Sequence, residues 1–266
     1  MDINTNNFVA KKSYIAEYEK IDPVMQIDHL GIRLKYATPN KTTLWRAESL
    51  FTKEPDTIEW ISSFRPGSVF FDIGANVGMY SIFAAKFAHS NVYAFEPEAG
   101  NYALLNKNIS LNLLSSKVVA YPLSLSSNNM LGELHLSDMN VGGSCHAFGE
   151  KTNYAGNPFT PKFTQGSVSL TLDELVFEKG LPPPNYLKID VDGIEPEVLL
   201  GASKVLATDA LHSVLVEINT LRADHGLIPE LMSAHGFIYS PEAANKGLRQ
   251  SGPFKGTGNY IFTKSI

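Results

Sequence analysis

The stretch "VFFDIGANVGMYSIFAAK", residues 69–86, sets Asp72, Gly74, Asn76 and Gly78 at alternate positions between an apolar run and a helix-like run. Glycine has no Cβ, so a ligand can approach the backbone at Gly74 and Gly78, although tight turns and close helix packing use the same residue. Two familiar phosphate-binding patterns are missing. Asn76 stands where a dinucleotide-binding G-x-G-x-x-G has its middle glycine, and no Gly-Lys-Ser/Thr follows to make a Walker A loop. Asp72, two residues before the first glycine, is a poor neighbour for a pyrophosphate and a good one for a cation. S-adenosylmethionine, with a sulfonium and an α-ammonium, suits that charge.

Other acids fall at strand ends. Glu96 closes "VYAFEP" (92–97), where a carboxylate can accept two hydrogen bonds from ribose hydroxyls; NAD also has a ribose, so it stays open on this logic. "KIDVDGIE" (188–195) holds Asp190 and Asp192, which share one side if the strand stays extended. Either could act as general base toward a substrate hydroxyl once burial raises its pKa. Asp192-x-x-Glu195 mimics a capping box, but Pro196 fits the first helical position, which leaves Asp192 in the turn. "VEIN" ends on Glu217 and Asn219, with access to the same crevice. Cys145 and His146 read as a loop thiol and a surface histidine. The seven histidines and single cysteine form no H-x-x-x-H or C-x-x-C spacing, so no metal site and no internal disulfide are expected.

Alternating elements must position these residues. Strands are expected at 69–73, 92–97, 117–126, 186–193, 213–219, 237–241 and 258–264. Helices are expected at 76–88, 98–113, 196–207 and 228–235. Short, uniformly apolar strands separated by helices imply parallel βαβ units with both sheet faces covered. Ligands then sit at the carboxyl ends of the strands. Residues 1–65 precede this core as an N-terminal accessory or lid segment. The main domain spans 66–266 with an insertion at about 127–167, and the alternation breaks over 127–185 into a strand-like "ELHLSD", a long polar loop and a strand running into a short helix.

The chain has 266 residues, 44% hydrophobic and 18% charged, enough for a sizeable core. A net charge of −5 speaks against general affinity for nucleic-acid backbones. The opening "MDINTNNFVAKKSYIAEYEK" has no apolar leader-like segment, and no apolar run approaches the ~20 residues that cross a bilayer. The expectation is a cytoplasmic protein without a membrane partner.

The combination of "EPDTIEWI", "VFFDIGANVGMYS", "VYAFEPEAGNYALLNKNISLN", "VSLTLDEL" and "LKIDVDGIEPEVLLGA", in that order, resembles the FkbM family of S-adenosylmethionine-dependent methyltransferases over roughly residues 50 to 240. The resemblance implies a Rossmann-like class I methyltransferase fold, α/β, with a seven-stranded, mostly parallel sheet whose last strand is antiparallel. It implies that Asp72, Gly74, Asn76 and Gly78, with Ala75 between them, hold the methionine part. Glu96 would bind ribose, Ser124 would lie near adenine, and Asp190 would face the methyl end. Asp192 and Glu217 join Asp190 as catalytic candidates. The typical reaction is O-methylation of a small-molecule hydroxyl on a sugar or secondary metabolite, with S-adenosylhomocysteine as the second product. Residues 1–49 and 127–167 match least and would form the lid and acceptor pocket. Two alternatives remain: a metal-assisted O-methyltransferase using Asp190 and Asp192, and a cofactor-binding protein without turnover. Oligomeric state is open, with a homodimer among the options.

Overall fold

A computed structural model describes residues 14–265. An antiparallel hairpin, β1 (Val24–His29) and β2 (Ile32–Ala37), is followed by helices α1 (Lys41–Glu48) and α2 (Pro55–Ser62). Then β3 (Val69–Ile73), α3 (Met79–Phe87), β4 (Asn91–Phe95), α4 (Ala99–Leu111) and β5 (Val118–Tyr121) alternate. Four strands come next: β6 (Ser124–Leu125), β7 (Met130–Leu136), β8 (Ala147–Phe148) and β9 (Phe163–Leu170). The alternation resumes with β10 (Tyr186–Ile189), α5 (Glu195–Leu200), α6 (Ser203–Ala207), β11 (Ser213–Asn219), α7 (Ile228–Ala234), β12 (Phe237–Tyr239), α8 (Pro241–Gly247) and β13 (Thr257–Lys264).

The main sheet has seven strands in the order β12-β13-β11-β10-β3-β4-β5. All run parallel except β13, which is antiparallel to both β11 and β12. This is the Rossmann-like arrangement expected from the sequence, last strand included. Each face carries its own apolar cluster. Phe70, Ile82, Phe83 and Leu105 anchor one, and Phe71, Ile73, Leu187, Val216, Val198 and Phe262 the other. The order reverses between β3 and β10, and there the strand ends open a crevice.

Several expected boundaries change. The expected third strand, 117–126, breaks at Pro122, and its two halves join different sheets, β5 the main one and β6 the second. The expected helix 196–207 is two helices, because Asp173 accepts from the N–H groups of Lys204 and Val205 (3.0 and 2.9 Å) and caps a new one. The expected strand 186–193 stops at Ile189. The helix expected from Asn76 starts at Met79, after Gly78 in the left-handed region (φ 84°). Helix α8 was not expected. The two strand-like stretches of the interruption pair as β7 and β9, antiparallel, in a second sheet ordered β6-β9-β7-β8, and the polar loop between them contributes only β8. What the sequence does not show is that β7 and β9 join β6 and β8 in one sheet, in which Gly132 leaves room for the Phe148 ring.

The described part of the N-terminal segment shares the main core. Leu34, Tyr36 and Ile61 are fully buried with Phe70, Ile82 and Phe83. The Trp60 indole N–H donates to Ser213 Oγ on β11 (2.9 Å). Leu34→Ala is therefore expected to cost about 2–5 kcal/mol. It should lower the midpoint of a single denaturant transition reported by the whole chain. A separate early transition with the main midpoint unchanged would show that the segment folds independently.

Candidate active site

The loop after β3 uses its backbone donors internally. The N–H groups of Gly74 and Ala75 both donate to Phe95 O (3.0 Å each), that of Asn76 to Glu96 Oε2 (2.7 Å), that of Val77 to Asn76 Oδ1 (2.9 Å) and that of Gly78 to Ala75 O (2.8 Å). Gly74 is required by packing: its φ is 78°, and a Cβ there would overlap the Asp190 carbonyl. Close ligand approach to these N–H groups, the functional reading of the glycines, is thus replaced by loop closure against β4 and β10. Among the polar groups on the crevice wall are the carboxylates of Glu96, Asp190 and Asp192. Glu96 takes one backbone N–H on each oxygen, from Asn76 (2.7 Å) and Glu98 (2.9 Å), so each oxygen retains a lone pair. Burial pushes the Glu96 carboxyl up to about 7, against those two bonds.

Two chambers meet at Gly74, Asn76 and Asp190. The first is partly open to solvent. Glu96, Asp190 and Asp192 supply the acids of its polar wall, beside Asn76, Asn101, Ser144 and His146, and Phe95, Leu123, Leu125, Leu134, Phe148 and Ile194 its apolar end. Ser124 lies on that wall too. Leu134 and Phe148 belong to the second sheet, so the insertion roofs this chamber. A strap at 140–146 crosses beside it. Asn40 Nδ2 and Arg46 Nε donate to Val141 O and Gly142 O (2.9 and 2.6 Å), Asn76 Nδ2 donates to Gly143 O (2.7 Å), and Cys145 N–H donates to Asp192 Oδ2 (2.6 Å). The second chamber, likewise partly open, is lined by Arg46, Lys53, Tyr80 and Lys188 beyond the shared residues.

Under the junction lies Lys188, 1% exposed. Its register partner across the strands is Asp72. Lys188 Nζ donates to Asp190 Oδ2 (2.8 Å) and sits 3.8 Å from Asp72 Oδ1, while Ser81 Oγ donates to Asp72 Oδ2 (2.5 Å). The ammonium also lies 5.4 Å from the Tyr80 ring centre. Tyr80 O–H donates to Glu54 (2.8 Å), Glu54 pairs with Arg249 (3.1 Å), and Arg249 pairs with Glu217 (2.9 Å).

The methyltransferase FkbM domain model matches residues 72–239. The chain belongs to the FkbM methyltransferase family. A hexuronic acid methyltransferase, AglP, from Haloferax volcanii is 28% identical over 193 residues, 71% of this chain and 72% of the relative. The 31-O-demethyl-FK506 methyltransferase FkbM of Streptomyces tacrolimicus is 26% identical over 198 residues, 67% of this chain and 75% of the relative. A solved structure of methyltransferase FkbM from Methylobacillus flagellatus aligns with TM-score 0.49 at 13% identity, over 84% of this chain and 55% of that one.

Within this FkbM-family site the acids named from the sequence separate. Asp72 lines neither chamber; it lies 1% exposed beneath the loop and reaches the crevice only through Lys188. Burial raises its pKa, partly offset by Lys188 and Ser81. Asp190 lines both chambers, and although burial pushes it up, Lys188 and then Lys53 outweigh burial and hold it below the usual carboxylate range. Asp192 does not share a strand face with Asp190, because the strand ends first and Asp192 turns at φ 60°. It lines the first chamber, and burial, then the Asp190 charge, raise it to about 6. Glu217 is on the wall of neither chamber; burial and Asp190 raise it well above the usual range despite Arg249. His146 is half-buried in the first chamber's wall rather than a surface residue, and its Nδ1 accepts from Ser137 N–H (3.3 Å). Cys145 is pushed up to about 12 by burial and Asp192, which suppresses the thiolate.

Sequence reasoning missed Lys188, Tyr80, Glu54 and Arg249. Only Lys188 left a signal, a lone cation in an otherwise apolar strand between two acid-ended ones. Lys188→Met leaves Asp72 and Asp190 buried without their cation and should cost about 3–5 kcal/mol near neutral pH. The orphaned carboxylates then have folded pKa values above their unfolded ones. Their proton uptake stabilises the fold at acid pH and is lost as pH rises. Denaturant unfolding should therefore show a larger deficit at about pH 8 than at about pH 5, and an equal deficit would remove Lys188 from this role.

Proposed function

We propose that the chain is an S-adenosylmethionine-dependent O-methyltransferase acting on a hydroxyl of a small molecule, such as a sugar or secondary metabolite. The observation that carries this reading is the polarity of the first chamber. With the loop N–H groups consumed, its wall offers carboxylates to a ligand, which suits ribose hydroxyls and a cationic centre and disfavours a pyrophosphate. The names of the two curated relatives, one acting on a hexuronic acid and one on a demethylated FK506 oxygen, favour a hydroxylated acceptor. When bound, the cofactor supplies an activated methyl group, with S-adenosylhomocysteine as the second product.

Glu96 would receive the ribose hydroxyls on its two free lone pairs, and the apolar end of the chamber, with Ser124, would take the adenine. Gly74, Asn76 and Asp190, where the chambers meet, would flank the amino-acid end. Asp192 is the better general base. Its pKa of about 6 suits proton removal near neutral pH, and Oδ1 is free of the Cys145 bond. Asp190 stays ionised through Lys188, a poor base but a fixed negative charge beside the reacting centre. Lys188 already holds Asp190 Oδ2, one of the oxygens that a metal shared by Asp190 and Asp192 would use, which makes a metal-assisted reaction the weaker reading.

Calorimetry with S-adenosylhomocysteine and a labelled-methyl assay over hydroxylated acceptors test the proposal together. Heat without any methyl transfer would leave a binding protein; no heat would remove the reading altogether. Asp192→Asn should lower turnover by about 10²–10⁴-fold while cofactor binding largely persists. Because Glu96 titrates near 7, protonation turns an acceptor into a donor below that pH. S-adenosylhomocysteine affinity should fall by up to about tenfold per pH unit below 7, and Glu96→Gln should abolish that slope.

A further inference from the structure

We infer that the second chamber is a carboxylate-binding subsite built on Arg46, with Lys53 in support. The inference rests on the proposed cofactor reading and extends it to groups that the first chamber does not use. Charge accounting singles out Arg46. Lys188 is matched by Asp190 (2.8 Å) and Asp72 (3.8 Å). Lys53 is paired with Glu54 (2.6 Å), a carboxylate that also serves Arg249 and Tyr80. Arg46 donates from Nε to a neutral carbonyl, Gly142 O, and among the described residues it has no acidic partner. Its two terminal nitrogens keep the fork geometry that fits a carboxylate edge.

The position of Arg46 is not accidental to a flexible side chain. Helix α1 carries it, and a reciprocal capping box, Asn40 with Thr43, fixes the start of that helix (2.9 and 3.3 Å). The bond to Gly142 O then fixes the base of the guanidinium against the strap. The opposite sign is present in the same chamber, since Asp190 shares its wall. A cavity holding one unmatched guanidinium and one ionised carboxylate complements a zwitterion, a carboxylate toward Arg46 and an ammonium toward Asp190. The chamber opens beside the nucleoside chamber through Gly74 and Asn76, so an amino-acid tail on a nucleoside fits this placement. A carboxylate on the methyl acceptor would use the same chemistry.

The test compares S-adenosylhomocysteine with 5′-methylthioadenosine, which keeps the nucleoside and thioether but lacks the amino-acid tail. Calorimetry on the full chain reads wild type, Arg46→Met, Arg46→Lys and Lys53→Met. Where the carboxylate is the cofactor's, Arg46→Met weakens S-adenosylhomocysteine about tenfold or more and leaves 5′-methylthioadenosine unchanged. Arg46→Lys restores part of the difference, and Lys53→Met gives a smaller loss. A merely structural role through the strap would weaken both nucleosides, since the strap lines their shared chamber. Where the carboxylate is the acceptor's, neither nucleoside changes. D-glucuronate, titrated against D-glucose as control into the S-adenosylhomocysteine complex, then loses its binding in Arg46→Met. Equal loss for both nucleosides, or no change in either arm, overturns the subsite alone. Failure of wild type to bind either nucleoside overturns the cofactor reading and the subsite with it.

Discussion

A buried ammonium holds this site together. Lys188 stands where β3 and β10 end side by side, and it joins the carboxylate of one strand to that of the other. Charges are expensive to bury, and the cost is tolerable only when partners and further hydrogen bonds are supplied. Here Asp190, Asp72 and the Tyr80 ring surround the ammonium, and Ser81 satisfies the far side of Asp72. The network continues outward through Tyr80, Glu54 and Arg249 to Glu217 on β11. The N-terminal segment is therefore joined to the crevice by charge as well as by its share of the core.

The same crevice shows how a loop can resemble a phosphate cradle in sequence and behave otherwise. A phosphate site needs N–H groups aimed at the ligand. In this loop they are aimed at Phe95, Glu96 and the loop itself. The outcome follows from Asn76 and Glu96. Asn76 adopts a left-handed conformation (φ 51°), caps Val77 with its own side chain and presents its N–H to Glu96. With the donors consumed, carboxylates set the potential of the chamber.

What could be read in advance follows burial. Strands β3, β10 and β11 are buried on both faces, so their apolar runs are continuous and plain in the sequence. So were the acids at their ends, because a carboxylate after such a run stands out. The strands β7 and β9 were legible in part, but their pairing into a second sheet was not, because they are half-exposed and carry glycine and serine, a composition shared with loops. Lys188 was overlooked because one polar residue in a short strand ordinarily faces solvent, and only the register with Asp72 shows otherwise. The described part of the N-terminal segment read as mixed short elements, since no local pattern shows that Leu34 and Tyr36 pack under α3.

The two aspartates of "DVD" show how far spacing alone can carry a mechanism. Two residues apart in an extended strand, they would be near-equivalent and mutually repulsive. The strand instead stops at Ile189, and Asp192 turns away through a left-handed backbone. Asp190 falls to the lysine and is held ionised; Asp192 falls to a single backbone N–H and, with Asp190 adding to the effect of burial, is raised. Asp190 thus shifts in the direction set by its cations, and Asp192 in the direction set by burial, against its one N–H donor. Placement beside Lys188 and Lys53 or away from them turns a repeated residue type into a fixed charge and a proton acceptor, without any difference in their own chemistry.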